Sequence, residues 1–439
     1  MNARGPAVSR GQRLAGRFTP PGDKSITHRA VLFGLLAAGE TVIHGPNAGE
    51  DCANSLAAAG ALGARVGRGS GTWTLRGAGG SLRAPDATID CGNSGTAMRL
   101  LAGIAAGQPF ATGLAGDASL SRRPMARIVA PLRAMGARIE TAPGERPPLR
   151  ITGGSLTGRA HVLEIPSAQV ATSVLLAGLR ASGVTSVEIP GPARDHTERM
   201  LPAFGVGLEI ETRANGGRRV AVRGGASLRA AAVQVAGDFS AAAFLFVAAA
   251  CEPGASVTAT GVSLNPTRTG LLDVLEAMGA DVRIERAHEA AGEPVGDVTV
   301  TGPESLRPFD VPAAWVPRLV DEVPAWAVLA SAARGTSRLC DAAELRVKES
   351  DRLAAMARGL GGCGIAVRER SDGLEVTGGQ AHGARIAAEL DHRIVMAFAA
   401  LGARTPDPMR FDDVATVATS FPGFFRVLAS LGASVEDAA

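Results

Sequence analysis

Of 45 lysine and arginine residues in this 439-residue chain, only two are lysine, and the other 43 (45 minus 2) are arginine. Lys24 stands in PGDKSITHR (21–29) and Lys348 in LRVKESDRL (345–353). A lysine ammonium is a compact charge whose pKa can fall on desolvation, so it can move a proton; a guanidinium cannot. Two acids accompany them. Asp321 lies in the otherwise apolar RLVDEVPAW (318–326), and Glu349 follows Lys348 directly. Two carboxylates and two titratable cations lining one site would suit general acid–base chemistry on an anionic substrate. Plainer readings stay open. Asp321 or Glu322 can cap a helix. If 345–353 is helical, Lys348 and Arg352 fall four apart on a surface ion-pair face with Glu349 and Asp351.

Other polar segments stand just before apolar runs: GNSGTAMR (92–99), GDASLSRRPM (116–125), IPSAQVATS (165–173), GPARDHTERM (191–200) and LDHRIVMAF (390–398). Gly, Ser and Asn at a helix start expose backbone N–H groups to an anion, and nearby Arg supplies charge. Each alone is equally an ordinary cap. Together, with an Arg near each, they point to a small molecule carrying several negative charges.

Several classes are excluded by what the chain lacks. It has no GxxxxGK[ST] loop, no dinucleotide fingerprint, no Ser-His-Asp ordering and no metal-ligand cluster. Its five cysteines (52, 91, 251, 340, 363) contain no CxxC, which argues against a zinc site and a disulfide scaffold. Aromatics are 4% with no Tyr, and no basic block stands out, so no nucleic-acid partner is expected. Apolar runs such as AAAFLFVAAAC (241–251) are too short for a membrane span, and the first residues lack the apolar run of a secretory signal. A cytoplasmic monomer is expected.

The elements that must carry these residues recur. LGARV, MGARIE, FGVGLEIE, MGADVRIE, CGIAVRE and LGASVE each join an apolar helix end to a Gly and a β-like alternation. The glycines are Gly63, Gly136, Gly205, Gly279, Gly364 and Gly432, spaced by 73, 69, 74, 85 and 68 residues. A glycine there suits the left-handed residue that ends a helix. Between them a second helix-then-strand element recurs, as in LLAAGETVIHG (35–45). The expected fold is α/β: six units of two helices and several strands, three per lobe. Ala-rich helices without one apolar stripe predict close packing on several faces. A break near 235–243 would separate the lobes, and a cleft between equal lobes could enclose a polar ligand.

PGDKSITHR, GNSGTAMR, GDASLSRRPM, SAQV, RDHTERM, NPTRTG, LRVKESDRL, LDHRI and TSFPGF, in this order, resemble the 5-enolpyruvylshikimate-3-phosphate (EPSP) synthase family, its second bacterial branch most closely. The resemblance runs from about residue 10 to 435. It implies six βαβαββ repeats, three per lobe around a pseudo-threefold axis. The lobes would be 20–237, and 1–19 with 238–439, with ligands in the interlobe cleft. It implies a transferase of the shikimate pathway, serving chorismate and aromatic amino acid biosynthesis. Phosphoenolpyruvate and shikimate 3-phosphate would give EPSP and phosphate without a cofactor or metal.

The same resemblance assigns roles. Ser25 and Arg29 match positions that hold the shikimate carboxylate. Ser167, Ala168 and Gln169 match the segment at its phosphate, with Arg194 adding charge. Asp321 matches the carboxylate that accepts the 5-hydroxyl proton, and Glu349 the acid that protonates the phosphoenolpyruvate methylene. Lys24 would contact both ligands and move a proton, and Lys348 would lie on the ring hydroxyls. Asn93, Gly95, Arg123, Gln169, Arg352 and Arg393 match the phosphoenolpyruvate site. Glu344 and Thr419 depart from the Asn and Lys of the family's other branch and receive no role. Gly95, where a variant of this branch has Ala, implies room for the inhibitor glyphosate. Two rivals fit less well: UDP-N-acetylglucosamine enolpyruvyl transferase, whose loop Cys is absent near Ala118, and a six-repeat DNA clamp, which leaves Glu349 beside Lys348 unexplained.

Overall fold

The computed structural model describes residues 5–436, so the outermost limits of the expected lobes, 1 and 439, lie outside the described residues. Six times the chain runs through a buried helix, a strand, a second helix and a hairpin. The buried helices are Lys24–Leu36, Gly95–Ala106, Ala168–Gly178, Phe239–Ala250, Val323–Ala330 and His392–Gly402. The second helices are Glu50–Ala61, Ala126–Met135, His196–Met200, Gly270–Met278, Arg352–Gly362 and Phe424–Ser430. Each second-helix segment ends at one of the six repeat glycines, whose φ values lie between 81° and 125°. An L side chain is strained at such angles, which is why glycine recurs there.

In the first four repeats the strand after the buried helix sits inside a four-stranded mixed sheet. Ala38–His44 pairs antiparallel with Thr72–Ala78, which pairs antiparallel with Arg65–Arg68. A fourth strand, Ala232–Gln234, joins Ala38–His44 in parallel. The sheet around Ser256–Ser263 has the same order, with its parallel strand supplied by Ala15–Phe18. The strands leading into the first and fourth buried helices are thus exchanged between these two sheets. In the sixth repeat the hairpin's return strand comes from the start of the chain. Ala7–Ser9 pairs antiparallel with Ser434–Glu436, and Val8 bridges Met409.

The chain divides into two compact units: Gly22–Ala236 with Glu289–Glu293, and the segments up to Pro21, Gly237–His288 and Pro294 onward. Glu289–Glu293, expected with 238–439, groups instead with the first unit, where Glu293 Oε1 lies 2.7 Å from His196 Nδ1 in a fully buried pair.

The fourth and fifth buried helices are almost wholly apolar. Every residue of Phe239–Ala250 and of Val323–Ala330 is buried. Burying one Leu or Phe side chain contributes about 1.5–3 kcal/mol, and small residues let such helices approach. A Cβ on Gly103 would meet the Ser173 carbonyl oxygen at 2.1 Å, so Gly103→Ala would push the Gly95 and Ala168 helices apart. Because their flanks are packed, these helices expose polar chemistry mainly at their starts. Asp23, Ser94, Ser167, Asp238 and Asp391 cap five of the six.

The conditional reading of 345–353 as one helix does not hold. The stretch 345–353 is not a single helix: a 3-10 turn spans Ala343–Val347, and the next helix begins at Arg352 with Asp351 as its cap. The Asp351 carboxylate accepts the Ala354 N–H at 3.1 Å and Arg346 Nη1 at 2.8 Å, which fixes the break. Lys348 and Arg352 therefore do not share a helix face.

Candidate active site

In the first unit the predicted residues meet at the starts of three buried helices. Lys24 Nζ donates to Asp51 Oδ2 at 2.9 Å, on the first turn of the Glu50 helix. Arg29, one turn further along the Lys24 helix, is 2% exposed. Its Nε donates to Thr197 Oγ1 at 2.8 Å, Nη1 to the Ser25 carbonyl at 3.0 Å and Nη2 to Thr172 Oγ1 at 3.1 Å. All three acceptors are neutral. Burial lowers its pKa to about 10, with Glu198, Asp23 and Glu293 opposing the fall and Arg194 adding to it. The cost of a desolvated guanidinium falls when a carboxylate or phosphate binds beside it.

Thr172 belongs to the Ala168 helix and donates to the Ala168 carbonyl at 2.7 Å. The cap of that helix, Ser167, accepts the Val170 N–H at 3.4 Å. Capping leaves other first-turn N–H groups without helical partners, as an anion requires. Gln169 Oε1 accepts from Arg99 Nη1 at 2.8 Å, and its Nε2 donates to Thr96 Oγ1 at 2.8 Å. This ties the Ala168 helix to the Gly95 helix. Arg123 donates to the Asn93 carbonyl at 3.2 Å, to Asn93 Oδ1 at 2.5 Å and to Ser119 Oγ at 3.2 Å. A Cβ on Gly95 would sit 2.7 Å from Arg99 Nη1 and 3.4 Å from Arg123 Nη1, so both cations crowd that helix start. The Arg194 carbonyl accepts from Arg218 Nη2 at 2.9 Å, which fixes its backbone.

In the second unit Arg352 is the hub. It is 1% exposed. Its Nε donates to Asp391 Oδ2 at 2.8 Å, Nη2 to Glu349 Oε2 at 2.5 Å, and Nη1 lies 3.5 Å from Asp321 Oδ1. Burial alone would lower its pKa, but Asp391, Glu349 and Asp321 hold it well above the usual arginine value. Burial would likewise raise the Asp391 carboxyl, and Arg352 overrides it and keeps it low. Arg393 donates to the Asp321 carbonyl at 2.5 Å and lies 3.2 Å from Asp321 Oδ1. Neither member of the Asp321–Glu322 pair caps by side chain: Glu322, fully buried, accepts from Ser240 Oγ instead. Lys348 stands apart from this hub and donates to Glu344 Oε1 at 3.1 Å. Glu344, which had no role from sequence, is thus the carboxylate that holds Lys348. Thr419 Oγ1 donates to the Thr416 carbonyl at 2.7 Å.

Asp51, Arg99, Thr172, Thr197 and Asp391 were not singled out from sequence. Four of them lie inside or beside the quoted motifs, but their importance comes from partners 39 to 168 residues away. Asp51 carried no signal of its own. Among the described residues, no cluster of three or more His, Cys, Asp or Glu could hold a metal ion, and no helix is long and apolar enough to cross a membrane.

Six helix-and-strand repeats with capped helix starts and a buried arginine holding paired acids form the frame against which the chain is compared with known proteins. The EPSP synthase (3-phosphoshikimate 1-carboxyvinyltransferase) family profile matches residues 8–428. The chain is 47% identical over 433 residues to a 3-phosphoshikimate 1-carboxyvinyltransferase of Acidithiobacillus ferrooxidans, covering 98% of each. It is 50% identical over 420 residues to that of Xanthomonas campestris pv. campestris, covering 95% of this chain and 94% of the relative. A solved EPSP synthase from Acinetobacter baumannii superposes with a TM-score of 0.87 at 42% identity, over 99% of both chains. The chain belongs to the EPSP synthase family.

Proposed function

We propose that both sets of residues act on one substrate pair, shikimate 3-phosphate and phosphoenolpyruvate, yielding EPSP and inorganic phosphate. The observation that carries this reading is the Arg352 hub, where one buried cation holds Asp321 and Glu349 together. An anionic group arriving at Arg352 and Arg393 competes with these carboxylates for the guanidinium. Glu349, once displaced, loses the partner that favours its charge and can carry a proton.

The shikimate carboxylate binds Ser25 and Arg29, and its phosphate binds Ser167, Ala168, Gln169 and Arg194. Phosphoenolpyruvate binds Lys24, Asn93, Gly95, Arg123, Gln169, Arg352 and Arg393. Glu349 protonates the methylene carbon, and positive charge builds on the neighbouring carbon. The 5-oxygen attacks there while Asp321 accepts its proton, giving a tetrahedral intermediate. The methyl group returns its proton to Glu349, a carbon–carbon double bond re-forms, the bond from the central carbon to the phosphate oxygen breaks, and phosphate leaves with that oxygen. Fixed arginines stabilise these species without reorganising. Lys24, between Asp51 and the ligands, serves in proton transfer. Lys348, held by Glu344, lies on the ring hydroxyls. The protein works as a cytoplasmic monomer, and its five free cysteines fit a reducing compartment.

The test is phosphate release from phosphoenolpyruvate with shikimate 3-phosphate or with UDP-N-acetylglucosamine as acceptor. Release with the first alone supports the reading, and release with the second overturns it.

A further inference from the structure

Two rungs join the Lys24 helix to the Glu50 helix. Lys24 and His28 are four residues apart on one, and Asp51 and Ser55 are four apart on the other. On the outer rung Lys24 Nζ meets Asp51 Oδ2 at 2.9 Å; on the inner rung His28 Nδ1 lies 2.7 Å from Ser55 Oγ. His28 and Ser55 are fully buried, whereas Lys24 is partly open. The opposite ring nitrogen, Nε2, lies 3.5 Å from the Oγ of Ser94. Ser94 is the cap of the Gly95 helix and accepts the Ala97 N–H at 3.2 Å. One imidazole therefore touches two further helices, and both carry residues of the site.

Burial, with Lys24 and Arg29 nearby, holds the His28 pKa well below the ordinary histidine value, so the ring is neutral. A neutral imidazole has one donor and one acceptor nitrogen, and a serine hydroxyl can be either. It thus satisfies a hydroxyl on each side without placing a third positive charge beside Lys24 and Arg29. Residues four apart stack on one helix face. The inner rung therefore sets the register in which the outer rung closes.

We propose that His28 is a positioning residue: it fixes the approach of Lys24 to Asp51 and the orientation of the Ser94 cap, without touching substrate. The inference rests on the catalytic role of Lys24 proposed above. An apolar side chain of similar size keeps the packing and leaves Ser55 and Ser94 without this partner.

The experiment is a double-mutant cycle in the phosphate-release assay, with His28→Leu, Asp51→Asn and the pair. Losing two buried hydrogen-bond partners predicts a fall in kcat of about 30-fold in His28→Leu, with the KM for shikimate 3-phosphate changed by less than about threefold. Asp51→Asn then costs less in the His28→Leu background than in the wild type, because the residues act through one rung. If His28 only supports the fold, melting temperature falls, kcat of the folded protein stays within about twofold, and the cycle is additive; that result overturns the proposal. If His28→Leu does not fold, Ser55→Ala takes its place in the cycle, with about a fivefold fall in kcat expected from one lost partner and additivity again overturning it. A wild type that releases no phosphate with shikimate 3-phosphate would remove the functional reading itself, and this inference with it.

Discussion

Arg29 and Arg352 are both almost completely buried, and the two units treat them in opposite ways. Arg29 is held by two threonine hydroxyls and a carbonyl, and its pKa is pushed down. Arg352 is held by three carboxylates, and its pKa is pushed up. A buried cation with neutral partners is a standing demand for an anion. A buried cation saturated with carboxylates is a clasp that an incoming anion must open. Under the proposed function, the contrast corresponds to recognition mainly in the first unit and proton transfer by the acids of the second, with Lys24 the exception.

The largest expected effect breaks the second side of this contrast. Glu349→Gln removes a proton donor, so kcat should fall about 10³-fold, measured by phosphate release at saturating substrates. On the first side, Arg29→Gln removes the charge that awaits the shikimate carboxylate. The KM for shikimate 3-phosphate should rise roughly 100-fold with kcat less affected, as expected for a lost charge-assisted hydrogen bond; a loss confined to kcat would contradict the assignment. Gly95→Ala should raise the KM for phosphoenolpyruvate roughly tenfold. Its Cβ displaces Arg99 from the place where it meets Gln169, while the flexible arginine ends spare the fold. The lack of a Cβ at Gly95, where one would press on Arg99 and Arg123, also predicts inhibition of the wild type by millimolar glyphosate, with weaker inhibition of the alanine variant.

The smallest effect separates the units by pH. His28 in the first unit has a depressed pKa from burial, Lys24 and Arg29, and His161 is lowered as well. Unfolded histidine titrates near pH 6.5. Their contribution is therefore intact above about 6.5 and is lost as pH falls below it, because the unfolded chain takes up protons first. Asp391 in the second unit is depressed by Arg352 against burial. Its contribution holds down to the unfolded value near 3.9 and is lost only below that. Between pH 7 and 5, hydrogen exchange corrected for intrinsic rate should speed up in the Lys24 helix more than in the Phe239 helix. Equal loss in both would contradict this.

The repeat was legible because it rests on local rules. A helix that must turn into a strand needs a left-handed residue, and all six glycines adopt that conformation. The resemblance placed 1–19 with 238–439, but the strand partners and register of Ala15–Phe18, Ala232–Gln234 and Ala7–Ser9 were not legible. Those pairings join segments more than 180 residues apart, and short strands carry little register information. The LRVKESDRL stretch stayed open because Asp351 reads equally as a helix-face partner and as a cap; its bonds to Ala354 and Arg346 decide. The motifs named most residues of the candidate site. They did not reveal that Asp391, two positions before Arg393, is a fully buried counter-ion of Arg352.

The division of labour is tested most directly by calorimetric titration of shikimate 3-phosphate into Arg29→Gln and Glu349→Gln. The account predicts that Glu349→Gln, nearly inactive, binds within about threefold of the wild type, while Arg29→Gln binds roughly 100-fold more weakly. Equal weakening in both variants, or tight binding by Arg29→Gln, would contradict it.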